Sequence, residues 1–334
     1  MRDPDTRPLE RGRALSIVVP AYNEAESLPA LHARVAEVLG TGLDWEMIIV
    51  NDGSSDRTWS VTRELNARDP RVKAIHLLVN SGHMKALVAG LDRADGALVI
   101  TMDADLQHPP EVLPSILEKW KGGALIVNTI RQETAHEGLV KRWTSRAYYS
   151  IFRRITGIPI KPGMADFRGL DGRVVRLVRE HREETLPLRF LLAKLPFPSA
   201  DIPYVPAKRH AGTTKYSFAR MLMFASESLF SFSLAPLYVG YVLGLVFMVL
   251  FFAYALYVLY IRLVLHMGIE GWSSQILITL VASAVQFILI GILGGYVGAI
   301  SREVKRRPRY VVGDLTGFEE GAKEPAPTSQ VTGD

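Results

Sequence analysis

The sequence predicts an α/β protein with an open, mostly parallel sheet, followed by two helices that cross a membrane. Three observations support this prediction. Short β-branched runs alternate with segments of helical apolar spacing through the first third of the chain, which is typical of parallel sheets covered by helices. Loops that carry carboxylates follow several of these runs, where parallel sheets bind ligands. Two long segments near the carboxyl terminus contain no charged residue.

Composition narrows the class of protein. The chain has 334 residues, a formal net charge of +5 and no cysteine. The lack of cysteine excludes disulfides, thiolate metal sites and cysteine nucleophiles. A basic balance suits nucleic acid, anionic lipid or a phosphorylated substrate. Because the sequence contains no recognisable nucleic-acid-binding module, we favour lipid and phosphate.

The first three strands are predicted at residues 15–20, 47–50 and 72–79, because each is a short apolar run bounded by polar residues. Ser27 can cap the helix that follows the first strand. A turn-rich loop with the carboxylate of Asp52 follows the second strand, and another helix comes after it.

A fourth strand, residues 97–102, ends in the paired carboxylates Asp103 and Asp105. Together with Gln107 they offer the hard oxygen ligands that Mg²⁺ or Mn²⁺ prefers. A solvated strand-to-helix turn with a capping aspartate is the alternative interpretation, because so short a motif often occurs by chance. Pro110 suits the start of the next helix.

The pattern changes after a fifth predicted strand at residues 124–130. Residues 138–156 have the spacing of a basic amphipathic helix with aromatic side chains, which suits a membrane surface. An ordinary solvated helix packed on the sheet explains the same pattern. A second amphipathic stripe, residues 217–230, leads into the first uncharged segment.

The two uncharged segments are residues 228–261 and 271–301, and each is longer than the roughly 20 residues that span a bilayer. Basic residues flank the pair on both sides, so the positive-inside rule places the preceding domain in the cytoplasm. The spans lack ionisable groups, which argues against a pore or transporter. Three glycine pairs have the spacing of close helix packing or oligomerisation. They are Gly240 with Gly244, Gly291 with Gly295, and Gly294 with Gly298.

We therefore expect five segments along the chain. They are a disordered N-terminus (1–13), a sheet domain (14–216), a juxtamembrane amphipathic helix (217–230), a two-helix membrane hairpin (231–301) and a basic flank with a disordered tail (302–334). The polar start of the chain does not have the pattern of a signal peptide.

Several motifs in order resemble family 2 glycosyltransferases of the GT-A fold. They are Val-Pro-Ala-Tyr-Asn-Glu at 19–24, Val-Asn-Asp-Gly-Ser-Ser-Asp at 50–56, Asn-Ser-Gly at 80–82 and Met-Asp-Ala-Asp-Leu-Gln-His-Pro-Pro-Glu at 102–111. Two further motifs just before the spans are similar to those of polyprenyl-phosphate glycosyltransferases, which include dolichyl-phosphate mannose synthases and bacterial undecaprenyl-phosphate glucosyl- and aminoarabinosyltransferases. These are Ala-Asp-Phe-Arg at 165–168 and Arg-His-Ala-Gly-Thr-Thr-Lys-Tyr at 209–216.

The resemblance implies roles for residues of these motifs. The nucleotide would be bound by Pro20, Tyr22, Glu24, Asp52 and Asp103. A metal ion would be bound by Asp103, Asp105 and Gln107. The donor diphosphate or the acceptor phosphate would be bound by Arg131, Arg209 and Lys215. Asp166 and Asp105 would be catalytic. Considered alone, Asp52 also suits a turn before Gly53, and Asp166 also suits an ion pair with Arg168.

The resemblance also implies an activity. The protein would be a cytoplasm-facing enzyme of the inner membrane that transfers one sugar, with inversion, from a nucleotide-sugar to polyprenyl phosphate. UDP-glucose is the favoured donor, and GDP-mannose or another UDP-sugar is the alternative. The cofactor would be Mg²⁺ or Mn²⁺, and the expected assembly is a tetramer. Two other classes remain open: a non-catalytic partner that binds lipid-linked sugar, and a membrane-tethered Rossmann oxidoreductase. The missing G-x-G-x-x-G after the first strand argues against the oxidoreductase.

Overall fold

The computed structural model describes residues 14–132, 161, 163–180, 188–206, 235–264, 271–305 and 308–318. The chain divides into two compact units. The first, called here the sheet domain, takes residues 1–151, 158–214 and 308–334, and the second, the helix pair, takes residues 152–157 and 215–307.

The described part of the sheet domain contains one eight-stranded sheet. Its strands are β1 (Leu15–Ala21), β2 (Trp45–Asn51), β3 (Val72–Leu77), β4 (Leu98–Thr101), β5 (Ile126–Arg131), β6 (Met164–Asp171), β7 (Ser199–Tyr204) and β8 (Val312–Thr316). They lie in the order β7-β5-β6-β4-β1-β2-β3-β8. Strands β6 and β8 run antiparallel to their neighbours, and the other six run parallel to one another. The predicted mostly parallel sheet is therefore confirmed.

Helices cover both faces of this sheet. They are α1 (Leu28–Leu39), α2 (Thr58–Arg68), α3 (His83–Leu91), α4 (Leu113–Lys121), α5 (Gly172–Glu180) and α6 (Leu188–Lys194). Side chains alternate between the two faces, so Ile17 and Val19 of β1 pack in one core cluster with α1, and Val18 packs in the other with α3. All residues of β1 and β2 are buried, as central strands covered on both faces require.

The strands predicted from residues 15 to 130 are all present, and their ends differ by a few residues. Strand β3 ends at Leu77 rather than at Val79. The predicted capping role of Ser27 is wrong, because its backbone is already helical and it makes no capping bond. Its hydroxyl donates instead to Glu24 Oε2 at 2.6 Å.

The helix pair consists of α7 (Ala235–Leu263) and α8 (Trp272–Lys305). Both are long and apolar enough to cross a membrane, over Gly240–Ile261 and Ile278–Ser301. The two helices approach closely at Gly240, where an added Cβ would lie 2.7 Å from Leu289 Cδ2. Other glycines of the predicted pairs have nothing within 4 Å of such a Cβ in this chain. They are Gly244, Gly291, Gly294 and Gly298.

The segment after α8 differs from its prediction. We expected a basic flank and a disordered tail over residues 302–334, yet α8 continues to Lys305 and β8 pairs antiparallel with β3. Tyr310 donates a hydrogen bond to Asp92 Oδ2 at 2.7 Å, and Lys73 Nζ lies 4.9 Å from the ring centre of Phe318. The prediction of a disordered tail from Gly313 onward is therefore wrong for residues 313–318.

The predicted disordered tail begins at a glycine, Gly313. A Cβ at Gly313 would lie 2.5 Å from Leu78 Cδ2, so the glycine that weakens the strand pattern is also what lets β8 approach β3. The predictions for residues 1–13, 138–156, 217–230 and 319–334 lie outside the described residues.

Replacing Tyr310 by Phe tests the docking of this last segment. The variant loses the hydrogen bond to Asp92 and leaves the ring in place, so β8 should be destabilised by about 1 kcal/mol. In hydrogen–deuterium exchange, peptides that contain β8 should then exchange several-fold faster, while peptides of β1 and β2 keep their protection. Fast exchange of β8 in the unmodified protein would instead show that the strand does not form.

Candidate active site

The carboxyl edge of the parallel strands gathers most of the predicted site residues. Pro20 lies in β1, Asp52 directly follows β2, Asp103 lies two residues beyond β4, and Arg131 ends β5. Carboxyl ends of parallel strands share one edge of the sheet, so these residues are brought together by topology. Arg209 and Lys215 lie outside the described residues.

The loop after β4 is held by His108. The backbone N–H of Asp103 donates to His108 Nδ1 at 3.0 Å, and His108 Nε2 lies 3.6 Å from Asp103 Oδ2. Asp105 Oδ1 accepts the backbone N–H of Gln107 at 3.1 Å. Between them Leu106 has a φ of +62°, a strained conformation for a non-glycine residue that turns the loop sharply.

His108 is a buried, neutral ring. It stacks on Phe167, with ring centres 5.0 Å apart, and meets Tyr204 edge-on at 5.9 Å. Burial lowers the pKa of His108, and Asp103, Asp105 and Asp166 oppose that shift only in part. Burial also raises the pKa of Tyr204 to about 12. The sequence alone gives His108 no role, because a loop histidine is more often merely solvated, and its backbone N–H partner leaves no signal in the sequence.

Asp166 lies at the amino end of β6 among three cationic or potentially cationic side chains. Its carboxylate lies 3.3 Å from Arg168 Nη2, 3.5 Å from Arg189 Nη2 and 4.0 Å from His83 Nε2. Arg168 is only 1% exposed, and burial lowers its pKa while Asp166 opposes that shift. The ion pair with Arg168 considered in the sequence analysis is thus present. Neither Arg189 nor His83 was foreseen as a neighbour.

His83 connects the two carboxylates of the site. Its Nε2 lies 3.5 Å from Asp103 Oδ1 as well as 4.0 Å from Asp166 Oδ2. It is the first residue of α3, directly after Gly82, whose φ is +92°. The sequence alone gives His83 no role, because a loop histidine is commonly just solvated. Its position at the first turn of a helix that leaves the carboxyl edge was the available signal.

Asp52 fixes the turn that carries His83. Its Oδ1 accepts the backbone N–H of Ser81 at 2.7 Å, and its Oδ2 accepts that of Gly82 at 2.9 Å. A Cβ at Gly53 would lie 2.5 Å from the backbone nitrogen of Asn80, so only glycine fits under this turn. Asp52 therefore stabilises the turn before α3, in addition to occupying a position that is predicted to bind the nucleotide.

The loop after β1 is tied to the loop after β2. Asn23 receives a hydrogen bond from the Ser55 backbone at 3.0 Å, and Glu24 N–H donates to Thr58 Oγ1 at 2.9 Å. These bonds hold the loop rigidly around Tyr22, whose side chain is 48% exposed. An exposed aromatic ring on a fixed loop offers a stacking surface for a planar ligand.

One buried oxygen at the site accepts no hydrogen bond. Asp103 Oδ1 has no hydrogen-bond partner in the described part of the chain, although His83 lies 3.5 Å away. An unsatisfied carboxylate oxygen beside Asp105 fits a hard cation, since such cations take oxygen ligands. Among the described residues, however, no group of three or more acidic or histidine side chains is arranged to hold a metal ion alone.

The structural role of Asp166 can be separated from chemistry by stability measurements. Asp166→Asn leaves the Arg168 guanidinium buried without its counter-charge and should cost on the order of 3 kcal/mol. Asp105→Asn keeps the shape of the side chain and an oxygen that can accept the Gln107 backbone N–H, and should cost about 1 kcal/mol or less. Thermal unfolding of both variants in detergent tests this, and equal losses of stability would contradict it.

The burial of His108 also predicts a pH dependence of stability. Because its folded pKa is lowered, folding is favoured above the ordinary value near 6.5, and that contribution is lost as pH falls below it. His108→Phe keeps a ring on Phe167 and removes the titrating group. The fall in unfolding temperature between about pH 6.5 and pH 5 should therefore be shallower in the variant than in the parent. Parallel curves would refute the assignment.

Comparison with known proteins places the chain in a family. A sequence profile of Glycosyl transferase family 2 matches residues 16–176. An uncharacterized glycosyltransferase of Synechocystis sp. is 37% identical over 306 residues, which cover 91% of this chain and 96% of that protein. The uncharacterized glycosyltransferase YkcC of Bacillus subtilis is 36% identical, covering 91% and 94%.

A third relative carries a more specific name. The SfII prophage-derived bactoprenol glucosyl transferase of Shigella flexneri is 35% identical over 299 residues, which cover 89% of this chain and 97% of that protein. Such identity over nearly the whole of both chains bears out the resemblance seen in the motifs. The chain therefore belongs to glycosyltransferase family 2, as an enzyme with a GT-A-like α/β sheet and two candidate membrane helices.

Proposed function

We propose that the protein transfers one sugar, with inversion, from a nucleotide-sugar to polyprenyl phosphate at a membrane. The observation that carries the proposal is the meeting of Asp103, Asp105, Asp166 and His83 at one sheet edge, in a chain that resembles a bactoprenol glucosyl transferase along almost its full length. UDP-glucose is the favoured donor because that relative is named for glucose. GDP-mannose or another UDP-sugar is the alternative.

The donor would bind across the loops after β1, β2 and β4. Tyr22 presents its exposed ring to the base, and Pro20 and Glu24 shape the same loop. Asp52 uses one lone pair of each carboxylate oxygen on backbone N–H groups, which leaves the second lone pair for a base N–H or a ribose hydroxyl. Arg131 at the end of β5 would bind the diphosphate.

Asp103, Asp105 and Gln107 would hold a divalent cation, Mg²⁺ or Mn²⁺. The orphaned Asp103 Oδ1 supports this assignment. When bound, the cation supplies positive charge that stabilises the leaving diphosphate. Because too few acidic side chains converge to bind it alone, the donor's own phosphates and water would complete the coordination.

The acceptor phosphate would enter beside Asp166. A phosphate oxygen is already anionic near neutral pH, so Asp166 would orient the acceptor or take a residual proton rather than act as a strong base. An anion beside this carboxylate needs cationic neighbours, and Arg189 is suited because its side chain is 43% exposed and lies 3.5 Å from Asp166. Arg209 and Lys215 would add to the same charge.

The order of strands and spans along the chain supports placing the whole catalytic domain on one side of the membrane. Strands β1 to β7 precede the two spans and β8 follows them, yet all belong to one sheet. Two crossings return a chain to the side from which it started, as this sheet requires. Because basic residues flank the spans, we assign that side to the cytoplasm and the membrane to the inner membrane. By analogy with the family, we assign the assembly to a tetramer.

A turnover assay separates this proposal from a binding role. Purified protein with undecaprenyl phosphate, Mn²⁺ or Mg²⁺ and a panel of nucleotide-sugars should release a nucleoside diphosphate from one donor only, in a lipid-dependent and chelator-sensitive way. Asp105→Asn should lower that release by about 100-fold or more, as expected when charge stabilisation of the leaving group is lost. A lipid-linked-sugar binding partner would release nothing from any donor, and its ligand binding would survive the substitution.

A further inference from the structure

The exposed large apolar side chains of the sheet domain share one location. Within the described part of this domain there are five, and each lies within two residues of a strand end. They are Tyr22 after β1, Leu78 and Val79 after β3, Val205 after β7, and Val311 before the antiparallel β8. Since β8 runs antiparallel to β3, its amino end lies at the carboxyl edge of the parallel strands. All five therefore lie at the edge that carries the candidate active site.

This distribution is not that of ordinary surface residues. Single exposed apolar side chains are normal when they are scattered over a protein, but here both faces and the amino edge of the described sheet domain carry none that is large. Leu78, Val79 and Val205 are about 60% exposed. Strands β7 and β8 are the two outermost strands, so the row extends about 34 Å at roughly 4.8 Å per strand.

A short stretch of sequence leads to one end of this row. Val311 follows Lys305, the last residue of α8, by six residues. The connecting stretch is strongly basic, which complements an anionic lipid surface. Its basic residues are Arg306, Arg307 and Arg309.

From these observations we propose that the carboxyl edge of the sheet is a lipid-contact surface, with Leu78, Val79 and Val311 at one end and Val205 at the other inserted among lipid headgroups. Tyr22 is left out of this surface because the donor nucleotide would use it. The inference rests on the proposed function and deepens it, since it identifies the part of the domain that meets the membrane holding the acceptor. Apolar side chains beside basic ones are the combination that binds at such an interface.

Site-specific fluorescence in lipid nanodiscs tests this surface. The chain has no cysteine, so single cysteines can be introduced and labelled with an environment-sensitive NBD fluorophore without further changes. Val205→Cys and Val311→Cys probe the two ends. Ser199→Cys is a matched control, because Ser199 is exposed at the opposite end of the same strand as Val205, about 20 Å away. Ala67→Cys, exposed at the end of α2, is the control for the other end of the sheet.

In nanodiscs that contain anionic lipid, labels at 205 and 311 should shift to shorter emission wavelengths than in detergent. Lipids with a doxyl group near the headgroup should quench both, and labels at 199 and 67 should respond only to aqueous iodide. Equal behaviour of all four labels overturns the proposal. Labels at 205 and 311 that are shielded from iodide but not quenched by doxyl lipid also overturn it, and assign the edge to contact with a second copy.

Diphosphate release is measured on the parent protein in the same nanodiscs. Release without the expected quenching pattern refutes the lipid-contact surface and leaves the proposed function standing. The quenching pattern without release from any donor refutes the proposed function and supports the lipid-contact surface.

Discussion

The backbone hydrogen bonds of β6 join it antiparallel to β4 on one side and to β5 on the other, and this reversal determines which side chains meet at the site. A reversed strand presents its amino end where its parallel neighbours present their carboxyl ends. Asp166, near the start of β6, consequently reaches the same edge as Asp103, two residues beyond β4. The reversal also buries Arg168 in the sheet, so Asp166 must remain beside it as counter-charge. One carboxylate thereby stabilises the fold and faces the site.

The remaining geometry follows from loops that hold one another. Asp52 binds the turn before α3, the turn presents His83, and His83 lies between Asp103 and Asp166. On the other side of Asp103, the neutral ring of His108 accepts its backbone N–H. Such mutual bracing fixes charged side chains before any ligand arrives, and preorganised charge is the main means by which enzymes stabilise developing charge.

Local signals in the sequence are sufficient to predict the first five strands and the carboxylate loop after β4. These strands are continuous apolar runs, and Asp103, Asp105 and Gln107 follow one of them directly. Strand β6 escaped notice because Asp166, Arg168 and Asp171 interrupt its pattern, and hydropathy does not reveal that a charged residue is buried with a partner. The sequence does not predict β8, because the tail from Gly313, with Pro325 and Pro327, has the composition of a disordered segment. The pairing of β8 with β3 spans more than 200 residues, so no local pattern records it. The positions of His83 and Arg189 depend on tertiary contacts with Asp166, which no local pattern records.

The proposed reaction transfers the sugar to a lipid phosphate. Mass spectrometry of the lipid extract after incubation with undecaprenyl phosphate and the accepted donor tests it most directly. We expect one new lipid whose mass exceeds that of undecaprenyl phosphate by a single sugar residue, and this lipid should be absent when the Asp105→Asn variant replaces the parent. Consumption of the donor with free sugar in the aqueous phase and no new lipid would contradict it.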